Sequence, residues 1–190
     1  MKLALIYGTA SPAGRLAAAM KSFKTAAETD ARVSVAELDL SAAPLDWADG
    51  RPYDKLSPAS RRMIDEVSAS AGTVIFTPVY RATAPGALKN LFDLLPVQAL
   101  EAKPVGIVSM GATLHHFLGV DADLHPILAW FGAVMVPPGL YLTAGSFEAG
   151  VPTKAAAEEL GGYAQTMIDF AARLTGARLQ PRPLAALARG

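Results

Sequence analysis

The chain has 190 residues, 52% of them hydrophobic and 18% charged, with 17 basic against 17 acidic side chains and no cysteine. That length suits one domain able to bury a core without staples, while the missing cysteine excludes a disulfide scaffold, thiol catalysis, iron–sulfur ligation and cysteine-based zinc sites. Balanced and scattered charge provides no field that would draw the chain to nucleic acid or to an anionic membrane.

Lys2–Tyr7 predicts a central strand, too short in its apolar run to be the core of a signal peptide. No later apolar run approaches the roughly 18 residues that span a bilayer, so a cytoplasmic protein is expected. The connection Gly8–Arg15, GTASPAGR, carries Thr9, Ser11 and Arg15 in front of an Ala-rich helix, Leu16–Ala27. Two hydroxyls, free backbone N–H groups, a helix N-terminus and a cation together suit a phosphate monoester. The same residues also serve as an ordinary strand-to-helix turn, with Ser11-Pro12 starting the helix. The segment is neither a Walker A loop nor a G-x-G-x-x-G fingerprint.

Arg32–Leu40 alternates as a strand, and Ser41–Lys55, with two prolines, an Asp-Gly, Trp47 and Tyr53, reads as a long loop. Ser57 as N-cap and Pro58 at the first helical position open a helix to about Ala71. Thr73–Thr77 then forms a buried strand, and TPVYRATAPGALKNLFDLLP follows from Thr77 to Pro96. Pro78 removes a backbone donor, Tyr80 supplies an aromatic wall and Arg81 a permanent cation. Pro85 and Gly86 start a helix on which Leu88, Leu91, Phe92 and Leu95 recur at helical spacing. By themselves these residues define a strand, a shaped loop and a helix.

Val105–Met110 is a fourth strand. Gly111-Ala112-Thr113 after it would let the backbone approach a planar ring closely, and Thr113 equally serves as N-cap for a helix over Leu114–Phe131. A fifth strand, Val134–Tyr141, and a last helix, Lys154–Thr175, complete a domain over residues 1–175. The apolar tail 176–190 is expected to lie on this subunit or on a neighbour. Alternation of strands and helices implies right-handed crossovers and a parallel α/β sheet. Its ligands belong outside the carboxyl ends of the strands, where Thr77 and Met110 end.

Other chemistry is poorly supported. His115, His116 and His125 lack metal-ligand spacing, and Asp121 with His125 at i,i+4 reads as a surface pair. There is no G-x-S-x-G elbow and no paired carboxylate near the cleft loops. Trp130 and Phe131, with Ile127 and Leu128, read as core or interface. The apolar excess predicts a homodimer or homotetramer.

Thr77-Pro78-Val79-Tyr80 followed by Arg81 resembles the flavin-embracing loop of the flavodoxin-like NAD(P)H-dependent FMN reductases, most nearly those that serve two-component alkanesulfonate monooxygenases. The likeness continues in Gly8-Thr9-Ala10-Ser11, Leu94-Leu95-Pro96, Lys103-Pro104-Val105, Gly111-Ala112-Thr113, Val120-Asp121 and Leu124-His125-Pro126, in order. It implies a flavodoxin-like, doubly wound, five-stranded parallel sheet of order 2-1-3-4-5, with FMN and NADPH or NADH as cofactors and a flavin-dependent monooxygenase as partner. Thr9, Ser11 and Arg15 would hold the phosphate. Pro78, Val79, Tyr80, Arg81, Gly111, Ala112 and Thr113 would hold the ring. An FMN-retaining quinone or azo reductase, or a flavodoxin-like protein without enzymatic activity, fits the same residues. Three positions depart from the family pattern: Gly14 and Leu16 stand where serines flank the loop arginine, and Ala122 where a tyrosine is frequent. Two missing hydroxyl donors would weaken flavin binding on the order of 10-fold or more.

Overall fold

The computed structural model describes residues 1–42 and 44–178. Three central strands carry the molecule: β1 (Lys2–Tyr7), β3 (Gly72–Pro78) and β4 (Pro104–Met110). With β2 (Ser34–Asp39) and a fifth strand they form a parallel sheet in the order 2-1-3-4-5, the order the resemblance implies. Because side chains alternate across a strand, both faces of the central strands are covered. Ala4, Ile6, Ile75 and Ile107 pack under α2 (Pro58–Ala69), α3 (Gly86–Leu94) and α4 (Gly119–Trp130). Leu3, Leu5, Val74, Phe76 and Val108 pack under α1 (Arg15–Ala27) and α5 (Lys154–Leu174). The architecture is a flavodoxin-like doubly wound α/β domain.

Local rules account for most boundaries. Ser57 Oγ accepts the Ser60 N–H at 3.2 Å and Pro58 follows it, so α2 starts where expected. Helix α1 starts later than a Ser11-Pro12 start would have it, at Arg15, after Gly14.

Two expectations fail. The helix expected over Leu114–Phe131 is divided into a 3-10 turn, Leu114–His116, and α4 from Gly119; Leu118 between them has φ +64°. The Phe117 ring packs edge-on against Tyr141 at 5.9 Å, which holds this stretch at the sheet edge. The fifth strand is also not continuous. Pro137 and Pro138 have no N–H for a ladder, and the strand divides into β5 (Val134–Met135) and β6 (Leu140–Leu142).

Side chains fill the break. Tyr163 of α5 accepts the Ile107 N–H at 3.1 Å and donates to the Val136 carbonyl at 3.0 Å, and Asp121 of α4 accepts the Gly139 N–H at 3.1 Å. A Cβ on Gly106 would stand 2.9 Å from the Tyr163 hydroxyl and 2.7 Å from Met167 Sδ, so glycine is needed beside the plug. A short hairpin, β7 (Phe147–Glu148) and β8 (Val151–Pro152), was not legible in the sequence. Of the tail 176–190, the Ala177 N–H bonds Leu174 O at 2.9 Å, and residues 179–190 lie outside the described residues.

Candidate functional site

The loop after β1 is shaped by close backbone approach. Gly8 N–H donates to Phe76 O at 2.7 Å, and an added Cβ would meet that oxygen at 3.2 Å. Thr9 is buried and its Oγ1 accepts the Ser11 N–H at 3.2 Å, while Tyr7 beneath the loop donates to Pro12 O at 3.2 Å. Burial, with the Asp39 carboxylate next in effect and Tyr80 after it, raises the Tyr7 phenol above its ordinary pKa, so it stays neutral and keeps this bond. Helix α1 then begins with no side-chain cap and no acid in its first turn. Its first N–H groups and positive dipole end are therefore left for an anion. Exposed Arg15 makes no ion pair among the described residues.

Two further loops face this one. Val79 N–H donates to Met110 O at 2.8 Å, joining the ends of β3 and β4. Tyr80 and Thr83 then exchange backbone bonds of 2.9 and 3.1 Å across a two-residue turn in which Arg81 and Ala82 have φ +53° and +67°. Asparagine or glycine normally occupies such turns, so this backbone is strained, and Thr83 ties it to α4 by a hydrogen bond to Asp123. On the other side Gly111 N–H donates to Leu142 O at 3.1 Å, and Tyr141 Oη donates to Thr113 O at 2.5 Å. A Cβ on Gly111 would lie 2.0 Å from that Tyr141 oxygen. Glycine is thus dictated here by the tyrosine crossing over it.

Together the loops enclose a cavity of about 580 Å³ at the carboxyl edge of β1, β3 and β4. Of the residues singled out in the sequence, Thr9, Ser11, Arg15, Pro78, Val79, Tyr80, Gly111 and Ala112 line it. Arg81 and Thr113 do not. Arg81 is exposed at the turn tip, and Thr113 is occupied, its carbonyl by Tyr141 and its hydroxyl by His115 Nδ1 at 3.1 Å rather than in a helix cap. Tyr7, Met110 and Ala144 also line the cavity, and Tyr141 braces it; no sequence motif marks them.

Of the departures Leu16 has a structural reason, and nothing in the structure explains Gly14 or Ala122. Leu16 is buried against the α1/α5 face of the core, and Gly14 has nothing within 4 Å of its Cβ position. Asp121 and His125 do not pair: burial raises the Asp121 carboxyl above its ordinary pKa, the Gly139 N–H partly opposing, and His125 Nδ1 lies 2.9 Å from Met135 Sδ. Among the described residues no cluster of His, Cys, Asp or Glu could hold a metal ion, and no helix is long and apolar enough to cross a membrane.

A flavodoxin-like sheet with an uncapped helix N-terminus and two loops around a cavity at its carboxyl edge defines the class as a doubly wound α/β domain with a ligand cleft at that edge. The chain belongs to the NADPH-dependent FMN reductase family, whose model matches residues 1–148. It is 37% identical over 109 residues to an NAD(P)H-dependent FAD/FMN reductase of Geobacillus thermodenitrificans, covering 57% of this chain and 59% of that protein. It is 31% identical over 140 residues to the NADH-dependent FMN reductase SfnE of Pseudomonas putida, covering 73% and 74%. An oxidoreductase of Corynebacterium diphtheriae superposes with a TM-score of 0.69 at 25% identity, covering 93% of this chain and 98% of that one.

Proposed function

We propose that this chain is an NAD(P)H-dependent FMN reductase that delivers reduced FMN to a flavin-dependent monooxygenase in the cytoplasm. The observation that carries the reading is the single cavity joining the Thr9–Arg15 loop to the Pro78–Tyr80 and Gly111–Ala112 loops, in a chain of this family. The donor set fits FMN. Thr9 and Ser11 hydroxyls, the α1 N-terminus and Arg15 suit a phosphate dianion, and the walls at Pro78, Val79, Gly111 and Ala112 are largely backbone and methyl groups that suit a planar ring.

Bound FMN supplies the redox chemistry by accepting a hydride from the nicotinamide. What this chain does is position: the α1 end and Arg15 hold the phosphate, and the two β-edge loops orient the ring and exclude water from one side. Exposed Arg81, outside the cavity on a strained turn, is assigned in this reading to the phosphates of the nicotinamide dinucleotide. No acid–base side chain is needed. Leu114, Phe117 and Leu118 are exposed large apolar side chains, which supports a homodimer or homotetramer that covers them.

The test is NADPH and NADH oxidation by the purified protein with and without added FMN. Turnover that depends on added FMN is expected. Turnover only with a quinone, without added flavin, would replace this reading by an FMN-retaining reductase. No turnover in any arm would overturn both.

A further inference from the structure

We propose that Tyr80, on the ring-side loop, positions the Ser11 hydroxyl as a phosphate donor and so makes the site discriminate FMN from dephosphorylated riboflavin. This rests on the flavin-site reading above. Ser11 Oγ and Tyr80 Oη lie 2.8 Å apart, a bond between loops 69 residues apart in sequence. Both ends are held. The Ser11 backbone is fixed by its bond to Thr9 Oγ1, and Tyr80 by its paired backbone bonds to Thr83, which is anchored to Asp123.

Each hydroxyl has one proton to give, and a phenol is the stronger donor because its proton is far more acidic than that of an aliphatic alcohol. Tyr80 therefore donates to Ser11 Oγ. The Ser11 proton is then free for another acceptor, in the cavity that Arg15 also lines and next to the uncapped start of α1. A donor that is itself a hydrogen-bond acceptor is polarised and strengthened. The ring-side loop thereby contributes to recognition of the phosphate without touching it, and Tyr80 acts as a positioning residue through Ser11.

Affinities for FMN and for riboflavin are measured by flavin fluorescence quenching on the wild-type protein, Tyr80→Phe, Ser11→Ala and the double variant. The FMN-to-riboflavin affinity ratio is expected to fall about 2- to 10-fold in Tyr80→Phe, by the worth of one oriented hydrogen bond. It is expected to fall further in Ser11→Ala, and the tyrosine substitution should change nothing more on that background. Equal loss of both flavins in Tyr80→Phe would overturn the proposal by making Tyr80 a ring contact alone. An unchanged or increased ratio would overturn it by making the two hydroxyls independent or competing. Binding of neither flavin by the wild-type protein would instead remove the flavin-site reading, and this proposal with it.

Discussion

Among the described residues Arg15 is the one cation lining the cavity, and a charge-assisted bond to a dianion is among the stronger contacts a side chain makes. Arg15→Ala is expected to weaken FMN binding by roughly 1.5–3 kcal/mol with the fold intact. Titration by fluorescence quenching reads this, and unchanged affinity would exclude the phosphate assignment. One residue earlier the opposite change should be beneficial. Gly14 is the N-cap of α1, its φ is −152°, and a Cβ there meets nothing within 4 Å. Gly14→Ser restores a hydroxyl at the helix start, so FMN affinity should rise up to about 10-fold and stability by a few tenths of a kcal/mol. Weaker binding by this variant would show that the phosphate does not sit over the α1 end.

At the scale of elements, the broken fifth strand decides the shape of the site. Once β5 ends at Met135, the ladder resumes at β6, where Leu142 receives Gly111 N–H and Tyr141 crosses to Thr113. Tyr163 plugs the gap, and Tyr163→Phe leaves Ile107 N–H and Val136 C=O without a partner. A loss of roughly 2–4 kcal/mol is expected from urea denaturation at pH 7. Burial pushes the Tyr163 phenol up to about 12, with the Ile107 N–H opposing and Asp121 adding to the rise. Because the folded state holds the proton more tightly, this contribution is whole below pH about 10 and lost as pH rises through about 12. The advantage of wild type over Tyr163→Phe should therefore shrink by about 2 kcal/mol by pH 12. A pH-independent difference would show that the phenol is not desolvated. Gly111→Ala, whose methyl would collide with Tyr141, should weaken FMN binding at least about 10-fold. Adding Tyr141→Phe removes the nearest atom and should recover part of it; no recovery would mean that the collision is not what glycine avoids.

For the whole molecule the apolar excess divides between core and surface. Leu128, expected to offer interface area, is fully buried, whereas Leu114 is 73% exposed and Trp130 41%. Phe92, Leu95, Ile127 and Trp130 line a further groove of about 480 Å³ between α3 and α4. Exposed Leu114, Phe117, Leu118 and Trp130 are expected to be covered by copies of this chain. Light scattering at micromolar concentration should report two or four times 19.8 kDa. A species of 19.8 kDa alone would refute it.

Strands β1 to β4 and helices α1, α2, α3 and α5 were legible in the residues, because a buried parallel strand is an apolar run and a surface helix an apolar stripe, and the sheet order came with the resemblance. The loops Thr9–Arg15 and Pro78–Tyr80 were legible as lining a cleft, because punctuation by Gly and Pro at strand ends marks where backbone groups are left unpaired. The Tyr141 brace, the Tyr163 plug, the division at Leu118 and the Ser11–Tyr80 bond were not. Each joins residues far apart in the chain, and no local period or motif records such a pairing. Only the tertiary structure decided them, because a hydrogen bond or a forbidden Cβ depends on what packing brings within about 3 Å, whereas local sequence specifies only which groups each segment has to satisfy.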